Sequence, residues 1–172
     1  ITDGEGLTTC QQFDPWGRLT QKILPDGSPI TFEYDPDGHL MACHLPNGLT
    51  WRATYDLMGR KTSEELQVKG EVSSHWEYHY ENGLLQLAKD PLNRIHTYIY
   101  DSLNRLVGAK VDQATTLYTY DKRNLLTSAE NDQSKVLRFY NRSGQQIVEE
   151  IYLNGKLHQQ THQSWSPSGR SL

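Results

Sequence analysis

The stretch Tyr34-Asp35-Pro36-Asp37-Gly38-His39-Leu40 returns, with variation, from one end of this 172-residue chain to the other. Phe13-Asp14-Pro15-Trp16-Gly17-Arg18-Leu19 precedes it. After it come Tyr55-Asp56-Leu57-Met58-Gly59-Arg60-Lys61 and a shortened Tyr80-Glu81-Asn82-Gly83-Leu84. Then follow Tyr100-Asp101-Ser102-Leu103-Asn104-Arg105-Leu106, Tyr120-Asp121-Lys122-Arg123-Asn124-Leu125-Leu126, Tyr140-Asn141-Arg142-Ser143-Gly144 and Trp165-Ser166-Pro167-Ser168-Gly169-Arg170. The leading aromatics Phe13, Tyr34, Tyr55, Tyr80, Tyr100, Tyr120, Tyr140 and Trp165 stand 20, 21 or 25 residues apart. Self-similarity at a period of this size signals a repeat architecture, in which each unit buries its apolar surface only by stacking on its neighbours.

The chemistry of the unit is that of a turn. An Asp at the first turn position (Asp14, Asp35, Asp56, Asp101, Asp121) bonds the backbone of the turn through its side chain. Four residues after the aromatic stands Gly17, Gly38, Gly59, Gly144 or Gly169, or in two copies Asn104 or Asn124. Gly and Asn share a tolerance for the left-handed region, so their exchange at one position predicts positive φ there. The expected geometry is a type I turn closed by a left-handed residue, a common β-hairpin connection. Glu81, Asn141 and Ser166 depart from Asp, and are expected to give weaker turns.

Each copy then reads as a hairpin tip, entered by a strand ending on the aromatic and left by a strand after Gly-Arg-Leu. Returning strands alternate: Ile30, Phe32 and Tyr34 share one face, as do Trp76, Tyr78 and Tyr80, and Thr116, Tyr118 and Tyr120. Outer turns fall at Pro25-Asp26-Gly27, Pro46-Asn47-Gly48, Lys69-Gly70, Asp90-Pro91-Leu92-Asn93, Asp112-Gln113, Asn131-Asp132 and Asn154-Gly155. No window carries a sustained helical stripe. The expected fold class is all-β: about 14 to 16 short strands in consecutive antiparallel hairpins, forming a curved single-layer sheet within a larger β-shell. Hydrophobic residues are only 35% of the chain, and ten of them are Tyr. So thin an aliphatic content suits a wall wet on one or both faces, held by a ladder of aromatic cross-strand pairs.

The remaining residue chemistry is read against this layout. Net charge is −4 with no basic run, so nucleic acid is not an expected partner. No apolar stretch approaches a membrane span, and the N-terminus carries no signal peptide; the chain reads as a piece of a longer protein, residues 1–172 being one repeat segment of about eight hairpins without a separate catalytic domain. Cys10 and Cys43 are too few for a disulfide framework; idle thiols are the plain reading and a bridge between them the alternative. The pairs His75/His79 and His158/His162 would share a face on a helix, but on a strand they stand about 13 Å apart and cannot share one metal ion. No metal, cofactor or catalytic residue is expected. The repeated aspartates are structural caps, no nucleophile–base grouping is visible, and Arg18, Arg60, Arg105 and Arg170 are placed to pair with turn carboxylates or carbonyls. Trp16, Trp51, Trp76, Trp165 and the tyrosines could stack on sugar rings, or else form the sheet's own packed face.

The recurring Tyr-Asp-x-x-Gly-Arg-Leu resembles the YD (Rhs) repeat family, and the resemblance runs through all eight tips. It implies a long β-sheet wound into a hollow shell, which in bacterial Rhs proteins and Tc toxin components encloses a C-terminal toxin domain, and in teneurins is part of an adhesion receptor. The partners implied are the rest of the shell, the enclosed toxin and components of a secretion machinery such as type VI, with export from the bacterial cell to the medium or surface. The family's self-cleavage motif, Asp-Pro-x-Gly-Leu, is not met: Asp14-Pro15-Trp16-Gly17-Arg18 and Asp35-Pro36-Asp37-Gly38-His39 lack the Leu. The function expected from the resemblance is a non-enzymatic shell segment. The alternative is a surface adhesion module binding carbohydrate or protein through the aromatic-rich sheet.

Overall fold

The computed structural model describes residues 8–166. Their regular structure is entirely β. The strands are β1 Cys10–Phe13, β2 Leu19–Ile23, β3 Pro29–Tyr34, β4 Leu40–His44, β5 Leu49–Tyr55, β6 Lys61–Val68, β7 Glu71–Glu81 and β8 Leu84–Lys89. They continue as β9 Ile95–Tyr100, β10 Leu106–Val111, β11 Ala114–Tyr120, β12 Leu126–Glu130, β13 Ser134–Tyr140, β14 Gln146–Leu153 and β15 Lys156–His162. Strand order in the sheet is the order in the sequence. The described residues up to His79, with Ala88–Asn93, make one compact unit; Tyr80–Leu87 and the described residues from Arg94 onward make a second.

The register shows why the repeat has its length. In the first unit Phe13 faces Leu19, Tyr34 faces Leu40 and Tyr55 faces Lys61; in the second Tyr100 faces Leu106, Tyr120 faces Leu126 and Tyr140 faces Gln146. One step back from each aromatic the pairing slips, leaving Thr20, Met41, Thr62, Val107, Thr127 and Ile147 as extra residues on the outgoing strand. Each tip is therefore closed by a β-bulge, which bends the strand and sharpens its twist. The extra residue and its successor turn toward the same neighbour. Thr54 Oγ1 lies 2.8 Å from Thr62 Oγ1 and 2.7 Å from Ser63 Oγ, and Thr119 repeats this with Thr127 and Ser128.

Little is buried. Among the described residues the buried apolar side chains are Ala42, Ala53 and Ala88, and the buried polar one is Asp90. The accessible surface is 11947 Å², against about 8,600 Å² for a globular protein of this mass. Order here comes from lateral pairing and repeated side-chain bonds, since one sheet has no second layer to pack against. No buried side-chain nitrogen or oxygen among the described residues lacks a partner.

Candidate functional site

The tips carry the repeated chemistry. At the first, the Asp14 amide donates to the Arg18 carbonyl (2.9 Å) and the Gly17 amide to the Asp14 carbonyl (3.0 Å). Asp14 Oδ1 accepts from the amides of Trp16 and Arg18 at 3.0 and 2.9 Å, and Oδ2 takes Arg18 Nε at 2.6 Å. Asp56 with Met58 and Arg60, and Asp101 with Leu103 and Arg105, reproduce the pattern within 0.2 Å. At Asp35 the cation's place is taken by His39, whose Nδ1 donates to Oδ2 at 2.9 Å. At Asp121 the fourth position is Leu125, and the guanidinium comes from Arg123 instead, Nε to Oδ2 at 2.9 Å. The closing residue has positive φ throughout, from +60° at Asn104 to +95° at Gly38.

Asn141 keeps the cap without the charge. Its Oδ1 caps the amides of Ser143 and Gln145 at 2.9 and 3.0 Å, and its Nδ2 donates to Gln145 Oε1 at 2.8 Å. A neutral amide pair replaces the carboxylate–guanidinium pair in the same geometry. At Glu81 the chain uses another device: Asn82 and Gly83, φ +49° and +83°, make a two-residue turn that needs no capping carboxylate. The outer turn at Asp90 reuses the tip chemistry, with the Leu92 amide on Oδ1 at 2.9 Å. Gly169 and Arg170 lie outside the described residues.

The aromatics bind each tip to the preceding one. Tyr34 Oη donates to the Leu19 carbonyl, Tyr55 to Leu40, Tyr100 to Leu85, Tyr120 to Leu106 and Tyr140 to Leu126, all between 2.7 and 2.9 Å. Trp165 does the same with its indole Nε1, on Gln146. The ring is covered from the preceding repeat. The guanidinium carbon of Arg18 lies 4.9 Å from the Tyr34 ring centroid, Arg105 stands likewise over Tyr120, and the His39 ring stacks on Tyr55 at 4.8 Å. At these tips a cation or imidazole meets the ring, so the ladder alternates rings with forks where cross-strand aromatic pairs were expected. Arg18 Nη1 also donates to the Asp35 carbonyl, Arg105 Nη1 to Asn124 Oδ1 and Arg123 Nη1 to the Asn141 carbonyl.

These contacts set the electrostatics. At Asp56 the Arg60 side chain and amide, and at Asp101 the Arg105 amide and side chain, hold the carboxyl below its usual range. At Asp14, Asp35 and Asp121 partial burial pushes upward and is outweighed by the bonds from Arg18, His39 and the Leu125 amide with Arg123 respectively. His75 and His79 lie on one strand, as do His158 and His162, and His75 is engaged by Glu77 and Glu65 at 3.3 and 3.7 Å. The convergence sequence reading missed is Asp35, Asp37 and His39, whose ligand atoms lie within 4.8 Å of one another. Alternate spacing around a turn was its signal. Asp35 and His39 already bond each other there, as their equivalents do at other tips. Both cysteines are free thiols.

Fold and tips together define an open antiparallel β-repeat sheet whose recurring side-chain bonds hold its turns and join neighbouring repeats. Residues 13–42, two successive tips and the hairpin that joins them, match the family model for the RHS Repeat. The described fold is similar to that of the Photorhabdus luminescens Tc holotoxin pore (TM-score 0.72, 19% identity, 95% of this chain and 10% of that one). It is also similar to TcdB2-TccC3-Cdc42 (TM-score 0.65, 14% identity, 95% and 11%) and to TcdB2-TccC3 without its hypervariable C-terminal region (TM-score 0.64, 14% identity, 95% and 11%). The chain spans about a tenth of the length of these structures. No curated protein matches its sequence. The tip chemistry inside the matched stretch recurs at the later tips of the described residues.

Proposed function

We propose that this chain is a non-enzymatic wall segment of a secreted bacterial Rhs-type toxin, helping to enclose a toxic C-terminal cargo until delivery. One observation carries the reading: at the tips capped by Asp, the carboxylate, its Arg or His partner and the leading aromatic serve the turn itself and the neighbouring repeats. Such chemistry extends a sheet, which supports a mechanical role. The partners on this reading are the rest of the shell, the cargo and the export machinery, with the parent made in the cytoplasm and released.

The test uses the parent protein encoded by the full reading frame. Its downstream domain is followed under limited proteolysis, within the parent and as a separately expressed domain. Enclosure predicts at least tenfold slower cleavage within the parent, lost when the wall is opened by denaturant. Equal cleavage rates sink the reading.

A surface adhesion module is the second reading. It draws on exposed tip side chains of the first unit, Trp16 at 79%, Leu57 at 107% and Met58 at 78%. A parent that binds cells and loses binding with Trp16→Ala and Met58→Ser would favour it.

A further inference from the structure

We propose that the tip edge of the first unit binds an extended peptide segment in the polyproline II conformation, with a Lys or Arg between two apolar side chains. The caps Asp14, Asp35 and Asp56 on this edge are paired with Arg18, His39 and Arg60. The two residues after each cap are exposed: Pro15-Trp16, Pro36-Asp37 and Leu57-Met58. They make two columns along the edge. One is apolar throughout, with Pro15, Pro36 and Leu57; the other reads Trp16, Asp37, Met58, an acid between two apolar side chains. The equivalent positions of the second unit are Ser102-Leu103, Lys122-Arg123 and Arg142-Ser143. The turn therefore forms as well on polar and basic residues, and does not itself require apolar ones here. Large apolar side chains gathered on one edge and held in water mark a contact surface.

The geometry sets the spacing of the ligand. Successive tips are two strands apart, about 10 Å at the usual separation of paired strands. A polyproline II helix rises about 3.1 Å per residue with three residues per turn, so residues i, i+3 and i+6 share one face at steps of about 9 Å. One such face meets the three tips in turn. A β-strand fails this match, because its side chains alternate and i and i+3 point to opposite sides. At the first step Trp16, Pro36 and Asp37, with Arg18 and Gly38, line an open cleft of about 380 Å³. The Arg18 guanidinium carbon stands 5.1 Å from the Trp16 ring centroid, yet Trp16 remains 79% exposed, so most of the indole is left to a ligand. An aromatic-lined groove is the recurring seat of polyproline II ligands, which are stiff and lose little entropy on binding.

Charge selects the central residue. With the three caps paired, Asp37 is the carboxylate left over on this edge, and Arg18 is engaged by Asp14 and the Asp35 carbonyl. The described residues of the first unit hold eleven Asp and Glu against seven Lys and Arg. A cationic side chain at i+3 meets Asp37, and the wider field steers it there. The same charges repel an anionic lipid surface or an acidic partner. The apolar residues at i and i+6 fall on Trp16 and on Leu57 with Met58. The inference goes beyond the wall assignment, and rests on the second reading only in taking this edge as a contact surface.

The experiment titrates the 172-residue chain with the end-blocked peptide Pro-Leu-Pro-Pro-Arg-Pro-Pro-Leu-Pro, followed by calorimetry and tryptophan fluorescence. Saturable binding is expected, at least tenfold weaker for the same peptide with Glu in place of Arg. Asp37→Asn and Trp16→Ala should each weaken binding at least fivefold with an unchanged melting temperature, while Lys122→Ser/Arg142→Ser in the second unit should bind as the native chain does. If Trp16→Ala lowers the melting temperature, Met58→Ser replaces it, with threefold or greater weakening expected. Absence of saturable binding, equal affinity for the Arg and Glu peptides, or equal affinity in Asp37→Asn overturns the proposal. A dimer in sedimentation that is lost both in Asp37→Asn and in Lys122→Ser/Arg142→Ser gives the edge to a second copy of the chain and overturns it too. Peptide affinity is read on this chain, and cell binding and cargo protection on the parent, so the three assignments fail separately.

Discussion

At the scale of single residues, one aspartate, one cation and one tyrosine do most of the work, and each makes contacts of two kinds. Asp101 caps its own turn and fixes Arg105; Arg105 covers Tyr120; Tyr120 returns a hydrogen bond to Leu106. Removing only the hydroxyl tests the last link. Tyr120→Phe is expected to lower stability by about 1 kcal/mol in urea titration, the net worth of one hydrogen bond; a change near zero would mean that water replaces it without loss. The aspartates also predict a pH dependence. Asp14, Asp35, Asp56, Asp101 and Asp121 are all held below their ordinary range in the folded chain. The unfolded chain, with carboxyls near pH ~3.9, therefore binds more protons, and stability rises with pH. The contribution is complete above about pH 5 and is lost as pH falls through the lowered folded values. The urea midpoint should be level between about pH 5 and 7 and drop steeply below about pH 4; a midpoint unchanged at pH 3 would contradict the assignment.

At the scale of the element, the tip is a five-residue turn joined to a bulge, and its glycines differ in what surrounds them. A Cβ on Gly17 would meet nothing within 4 Å, whereas one on Gly59 would stand 2.6 Å from His39 Nε2. Both have positive φ, +82° and +76°. Gly17→Ala should therefore cost about 1–2 kcal/mol for the left-handed backbone alone, and Gly59→Ala distinctly more. Measured against His39→Ala alone, Gly59→Ala should cost no more than Gly17→Ala does in the native chain, as thermal melts of the four variants would show. The outer turns allow a gain. Lys69 has φ +52° ahead of Gly70 in a two-residue turn where Asn is the favoured residue. Lys69→Asn should stabilise by about 0.5 kcal/mol, read as a higher urea midpoint.

For the whole molecule, stability is expected to be a sum along the chain, because each strand pairs with its sequence neighbours and the buried apolar side chains among the described residues are three alanines. Tyr55→Phe and Tyr120→Phe lie in different units and share no described partner, so their effects should add within about 0.5 kcal/mol. A larger discrepancy in the double variant would show coupling that the strand ladder does not account for.

Much of this was legible because turns and alternation are local. The Asp, the Gly or Asn and the aromatic stand within seven residues, and steric limits on φ and the two-residue strand period act at that range. Hairpin order followed, since short turns leave consecutive strands no other neighbour. The Asn141–Gln145 amide pair was not legible, because it shows only when both side chains are in place. The alternation of rings with guanidinium groups, the His39–Gly59 contact, and the cleft between Trp16 and Pro36 were decided by tertiary structure. They join residues from adjacent strands and successive repeats, where register and bulge set which side chains touch. The sequence by itself determined where this chain turns and which residues alternate; stacking of the repeats determined what each side chain reaches, because that depends on strand offset across the sheet.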